Sequence, residues 1–284
     1  MGKSKLDTRS VGLDVGLGFV NWLTGADNLH YGLWDDLEVT AENLGKAQAA
    51  YTDKLLGYLP DGPLSILDIG GGAGETARKL IALGHRVEIV VPSAILAERC
   101  RANAPQAVVH EMPFEELKTT QTFDLCLFSE SFQYIPMKLA LTKARDLLSP
   151  DGHILVADCF RSEGFVKDRK VRVVGGGHKV ARFHASLPEL GLALQRSEDI
   201  TDAVAPSIDL ERGLFRVFGH AMTRVDEELR TRRPKSHWML ARALKLALGR
   251  RKINRLTARL EGRDRTSDVF RRNNQYLIAL LARE

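Results

Sequence analysis

Leu67-Asp68-Ile69-Gly70-Gly71-Gly72-Ala73-Gly74 decides the fold. The stretch closes an apolar run at 64–69 and opens a segment, 73–83, in which Ala77, Leu80 and Ile81 share one helical face. Glycines between a strand and a helix let the chain turn sharply and let a ligand approach the main chain closely. The free N–H groups at the start of the helix suit a polar or anionic ligand group.

Outward from this loop, short apolar runs alternate with helical patterns. Residues 87–91, 107–110, 123–128 and 153–158 read as further strands, and 94–103 and 139–148 as helices. Such alternation predicts an α/β fold with a Rossmann-like, doubly wound and mostly parallel sheet. A last strand at 276–281 is expected to run antiparallel. Residues 41–58 have helical spacing. The stretch 161–183 is polar with a glycine turn at 175–177, a short helix opens at 187–191, and 226–259 is mostly helix, broken at Pro234 and Gly249. These patterns divide the chain into an N-terminal helical lid (1–60), a cofactor-binding domain (61–210), a helical insertion or substrate cover (211–272) and a final core strand (273–284).

Composition narrows the class. Apolar residues make up 44% and charged residues 27%, as in ordinary globular proteins. No run of about 18 apolar residues occurs, and no signal-peptide pattern, so a cytoplasmic protein is expected. Cys100, Cys126 and Cys159 are too scattered for a disulfide framework or zinc site. His178, His184 and His220 match no ligand spacing, so no metal is expected. Arg161, Arg169, Arg172 and Arg182 flank the glycine turn and could bind an anion. Residues 221–284 hold 17 Lys or Arg against 7 Asp or Glu. Within 237–260, Leu240, Leu244, Leu248, Ile253, Leu256 and Leu260 form an apolar stripe beside Arg242, Lys245, Arg250, Arg251, Lys252, Arg255 and Arg259. That pattern suits either packing on the domain or peripheral contact with an anionic membrane. Interleaved aromatics for single-stranded nucleic acid are lacking, so no nucleic-acid partner is expected.

Two cofactors fit the loop. Gly72-x-Gly74-x-x-Ala77, with Glu88 downstream, satisfies a dinucleotide fingerprint and would make the chain an NAD-dependent oxidoreductase. Asp68, Gly70, Gly72 and Gly74 instead resemble the acid-x-Gly-x-Gly-x-Gly motif of class I S-adenosylmethionine-dependent methyltransferases. Further segments extend that resemblance towards the tocopherol and sarcosine/dimethylglycine methyltransferases and the cyclopropane fatty acid synthases. His30-Tyr31-Gly32-Leu33-Trp34 is similar to their His-Tyr-Gly-x-Trp segment, which implies that Tyr31 closes over the cofactor. Ser129-Glu130-Ser131-Phe132-Gln133-Tyr134-Ile135-Pro136 resembles their Ser-x-Glu-Ser-x-Glu-His-x-Pro stretch, with Gln133 and Tyr134 in place of Glu-His. Met112, Pro113 and Phe114 occupy the place of an adenine-binding loop. Pro92 and Ser93 stand where many relatives carry a ribose-binding acid. Asp199-Ile200-Thr201-Asp202-Ala203-Val204-Ala205-Pro206 is similar to a late Asp-x-Thr-Asp-x-x-Ala-Pro segment. The resemblance implies methyl transfer from S-adenosylmethionine to N, O or C of a small or lipid-like molecule. Gln133, Tyr134 and His178 are the expected catalytic candidates. A nucleic-acid-binding protein using the basic C-terminal region is the non-enzymatic alternative.

Overall fold

The computed structural model describes residues 8–165, 176–261 and 265–284. Seven strands form one sheet: β1 (Ser65–Ile69), β2 (Arg86–Val91), β3 (Val108–Glu111), β4 (Phe123–Ser129), β5 (Leu148–Arg161), β6 (Leu192–Asp199) and β7 (Asn274–Arg283). Their order is β3-β2-β1-β4-β5-β7-β6. β1 to β5 are parallel, and β7 enters antiparallel between β5 and β6. The doubly wound expectation and the antiparallel final strand are both met.

Side chains alternate across the sheet, as the strand period requires. One face buries Ile66, Ile89, Leu125, Leu155 and Ile278. Against it lie α1 (Thr8–Thr24), α2 (Leu44–Leu56), α3 (Glu75–Ala82) and α4 (Ala94–Asn103). The other face buries Leu67, Val90, Cys126, Phe128, Ile154 and Ala279 beneath α5 (Met137–Asp146) and α6 (Val180–Glu189). All three cysteines are free and buried.

Two elements differ from expectation. The helix placed at 187–191 is instead α6, which starts at Val180 and ends at Glu189. The strand β6 that follows was not anticipated. It is an edge strand whose middle residues are solvent-exposed, so its sequence, LALQRSED, shows no apolar alternation. Arg169 and Arg172 lie outside the described residues. Beyond β6 come α7 (Thr201–Val204), α8 (Pro206–Arg232), α9 (Pro234–Leu260) and α10 (Ser267–Asn273). Pro234 separates α8 from α9, and Gly249 kinks α9 at φ 71°.

The two segments that carry much of the resemblance pack on each other. Trp34, 4% exposed, donates its indole N–H to Ser207 Oγ at 2.8 Å. The Gly32 N–H donates to the same hydroxyl at 3.0 Å, and the Trp34 N–H to Ala203 O at 3.0 Å. A Cβ on Gly32 would stand 2.6 Å from Ala47 Cβ, so only glycine fits there.

Candidate functional site

The chain leaves β1 for β2 and β3 on one side, then returns as β4 on the other. This switch opens a crevice at the carboxyl ends of β1 and β4, where ligands bind in open α/β sheets. A cleft of about 610 Å³ lies there. The glycine loop forms its floor, Asp27 to His30 the facing wall, Val90 to Ser93 and Pro113 to Glu115 one end, and Ser129 to Ser131 with Tyr134 and Ile135 the other.

The loop conformation needs glycine. Gly70, Gly72 and Gly74 have φ of 78°, 56° and 88°, which L side chains rarely adopt. A Cβ at Gly70 would strike Ser131 Cβ, and one at Gly71 would strike the Asp68 carboxylate. A Cβ at Gly72 would meet nothing within 4 Å, because that residue faces the cleft.

Asp68 is 1% exposed, and its Oδ2 has no hydrogen-bond partner. Burial pushes its carboxyl up to about 7. An orphaned carboxylate oxygen under an open glycine loop fits a cationic ligand group, which would supply the missing partner.

Glu130 follows β4 with φ 55°, an uncommon conformation for a non-glycine residue. Its Oε1 accepts from the Tyr31 N–H and the Tyr276 hydroxyl, each at 2.9 Å. Tyr276 OH also lies 2.8 Å from Tyr51 OH. Burial, with the Asp158 charge nearby, raises the Glu130 carboxyl to about 7. His30 stacks on Tyr51 at 4.5 Å, and its Nδ1 donates to Tyr31 O. Burial lowers its pKa to about 4, so the ring is neutral at physiological pH.

The cleft is lined by five carboxylates, from Asp27, Asp68, Glu75, Glu115 and Glu130, and by no Lys or Arg, although Arg78 and Arg99 pair with Glu75 and Asp27 from outside it. A site of that sign favours a cation and disfavours a phosphate.

The other expected site residues divide. Asp68, Gly70, Gly72, Pro92, Ser93, Pro113, Phe114, Glu130, Ser131 and Tyr134 line the cleft. Ser93 also accepts the N-cap bond of α4 from the Leu96 N–H at 3.5 Å. Gly74 lies just outside, starting α3 against Cys100. Met112 packs into the core beneath β4. Tyr31 contributes its backbone to Glu130, while its ring lies against Phe270 and Tyr276. Gln133 turns away from the cleft: its amide Nε2 and its backbone N–H both donate to Asp158 at 3.0 Å, and its Oε1 accepts from the Gly176 N–H. His178 Nε2 donates to the carbonyls of Ile135 at 2.9 Å and Phe132 at 3.2 Å. Sequence reading passed over Asp27, His30, Glu75 and Asp158. Asp158 carried a signal, as an acid ending an apolar strand, and Asp27 lies three residues before the quoted histidine. Asp27 accepts from Asn21 of α1 at 2.9 Å and Asn103 of α4 at 3.0 Å, tying the N-terminal segment to the sheet domain.

Residues 41–191 match a family described as a methyltransferase domain. The 27-O-demethylrifamycin SV methyltransferase of Amycolatopsis mediterranei (strain S699) is 28% identical over 221 residues, covering 69% of this chain and 77% of that protein. Among solved structures, the cyclopropane synthase MmaA2 from Mycobacterium tuberculosis superposes with a TM-score of 0.66 at 17% identity, covering 98% of this chain and all of that one. The [4+2]-cyclase SpnF superposes at 0.65 and 14% identity, covering 97% and 95%.

Proposed function

The chain belongs to the methyltransferase domain family, and from that premise we propose that it transfers the methyl group of S-adenosylmethionine to a small or lipid-like acceptor in the cleft between the glycine loop and the N-terminal helical lid. Fold alone does not select this chemistry, since a cyclase shares it. The sign of the cleft carries the reading. Five carboxylates and no Lys or Arg line it, and S-adenosylmethionine brings a sulfonium and an ammonium.

When bound, the cofactor supplies an activated methyl group that the acceptor takes by in-line displacement. The protein's work is then to orient, exclude water and manage one proton. Asp68 would support the amino acid end from beneath the loop, and the open space at Gly72 would admit it. Phe114, 3% exposed and edge-on to Phe128 at 5.9 Å, offers a firm aromatic wall for the adenine. Glu130 is the proton acceptor. It lines the cleft, its Oε1 is fixed by Tyr31 and Tyr276, and a carboxyl near 7 suits proton transfer at neutral pH. Gln133 and His178 hold the backbone of the turn that carries Tyr134, and Tyr134 stands at the mouth, 64% exposed. The helical cover at 211–272 and peripheral membrane contact through 237–260 belong to the same reading.

Isothermal titration tests it. S-adenosylmethionine and S-adenosylhomocysteine should bind and NAD should not. The reverse order would return the loop to the dinucleotide reading.

A further inference from the structure

α8 and α9 pack as an antiparallel hairpin: His237 pairs with Asp226 at 2.9 Å near the turn, and Arg259 with Glu211 near the base. Gly219 lies so close to Leu260 that a Cβ would strike the Leu260 carbonyl. Away from that seam both helices expose apolar side chains; α8 balances five acids with five arginines, and α9 is basic. Val217, Phe218, Met222 and Val225 on α8, and Trp238, Met239, Leu240, Leu244, Leu246 and Leu256 on α9, make up ten of the nineteen exposed large hydrophobics among the described residues. Leu246 is 80% exposed and Trp238 61%. Helical residues of a monomeric protein rarely stand so bare in such density. α9 carries eight Lys or Arg and no Asp or Glu. At 3.6 residues per turn, Lys235, Trp238, Met239, Arg242, Lys245 and Leu246 fall within about a third of its circumference. The Arg242 guanidinium lies 5.5 Å from the Trp238 ring centre.

We propose that this hairpin seats the protein on an anionic bilayer, with Trp238, Met239 and Leu246 entering the headgroup boundary and Lys235, Arg242 and Lys245 meeting lipid phosphates. Charge selects this occupant. A second copy would bring one acid-free α9 against another. An acidic nucleic acid would satisfy the cations but leave a tryptophan, a methionine and a leucine wet. An anionic interface satisfies both sets, which is how basic amphipathic helices bind membranes. The contact sharpens the 237–260 reading to one face of α9 and gives an enzyme with a lipid-like acceptor access to it. It rests on that reading for its purpose and on the hairpin surface for its evidence.

The test is sedimentation of the full chain with vesicles of phosphatidylcholine alone or mixed with phosphatidylglycerol. Binding should require phosphatidylglycerol and weaken with salt. The triple variant Lys235→Ala, Arg242→Ala, Lys245→Ala should lose on the order of a hundred-fold in partitioning, at roughly five-fold per basic residue. Trp238→Ser should lose binding while keeping the charge. Both variants change exposed residues and should bind S-adenosylhomocysteine as the parent does, which separates failure of docking from failure of the methyltransferase reading. Absence of vesicle binding at low salt, equal binding to neutral vesicles, or a dimer in solution that Trp238→Ser dissolves would each overturn the proposal.

Discussion

Asp68→Asn should weaken cofactor binding and gain stability on the parent as pH rises. The Asp68 carboxyl is raised from 3.8 to about 7 by burial without a counter-charge. An acid with a raised folded pKa contributes no destabilisation below its unfolded pKa, and its ionisation destabilises the fold increasingly as pH rises through the window between the two values. Linkage puts that cost near zero at about pH 3, about 1.7 kcal/mol at about pH 5 and about 4 kcal/mol at about pH 8. Asparagine removes the titration but leaves a buried amide to satisfy, at roughly 1–3 kcal/mol independent of pH. The variant should therefore be the less stable of the two at about pH 3 and the more stable at about pH 8. Between about pH 5 and pH 8 the variant should gain about 2.5 kcal/mol on the parent. Urea unfolding of both proteins at several pH values measures this directly. A difference flat in pH would mean that Asp68 is not desolvated as described. Undiminished S-adenosylhomocysteine affinity in the variant would remove the orphaned oxygen from ligand recognition.

Glu130→Gln keeps an acceptor for Tyr31 and Tyr276 but cannot take a proton; for an acceptor that must lose one, kcat should fall roughly 10²–10⁴-fold with little change in S-adenosylhomocysteine affinity. In the parent, activity should rise with pH through about 7 as Glu130 ionises, and pH–rate profiles of the two proteins check whether that limb disappears in the variant. Gly72→Val should remain folded by circular dichroism, lose roughly 1–2 kcal/mol to its positive φ, and bind no cofactor by titration. Ser207→Ala strips the acceptor shared by Trp34 and Gly32 and should lower stability by about 1–3 kcal/mol in thermal melts.

Legibility in the sequence followed physical constraint. The glycine loop was readable because three positive φ values and close approaches to the Ser131 and Asp68 side chains leave few other residues usable there. Strands β1, β2, β4 and β5 were readable because both faces of the sheet are covered and their runs are mostly apolar, broken by single acids. β6 was not, because an edge strand facing water has no such run. The cleft was legible in outline from its lining motifs, but orientation was not. Gln133 adjoins Tyr134, yet Asp158 from β5 captures its side chain. The carbonyls of Phe132 and Ile135 fix the ring of His178 through Nε2. Such partners lie about 25 and 45 residues away in the chain, beyond the reach of local pattern.

A crystal structure of the protein with S-adenosylhomocysteine bound tests the central claim most directly. The amino acid end should lie over Gly70 and Gly72 near Asp68, the adenine against Phe114, and the sulfur should point towards Glu130 and Tyr134. Ligand density outside the cleft between the glycine loop and Asp27–His30, or a sulfur turned away from Glu130, would contradict it.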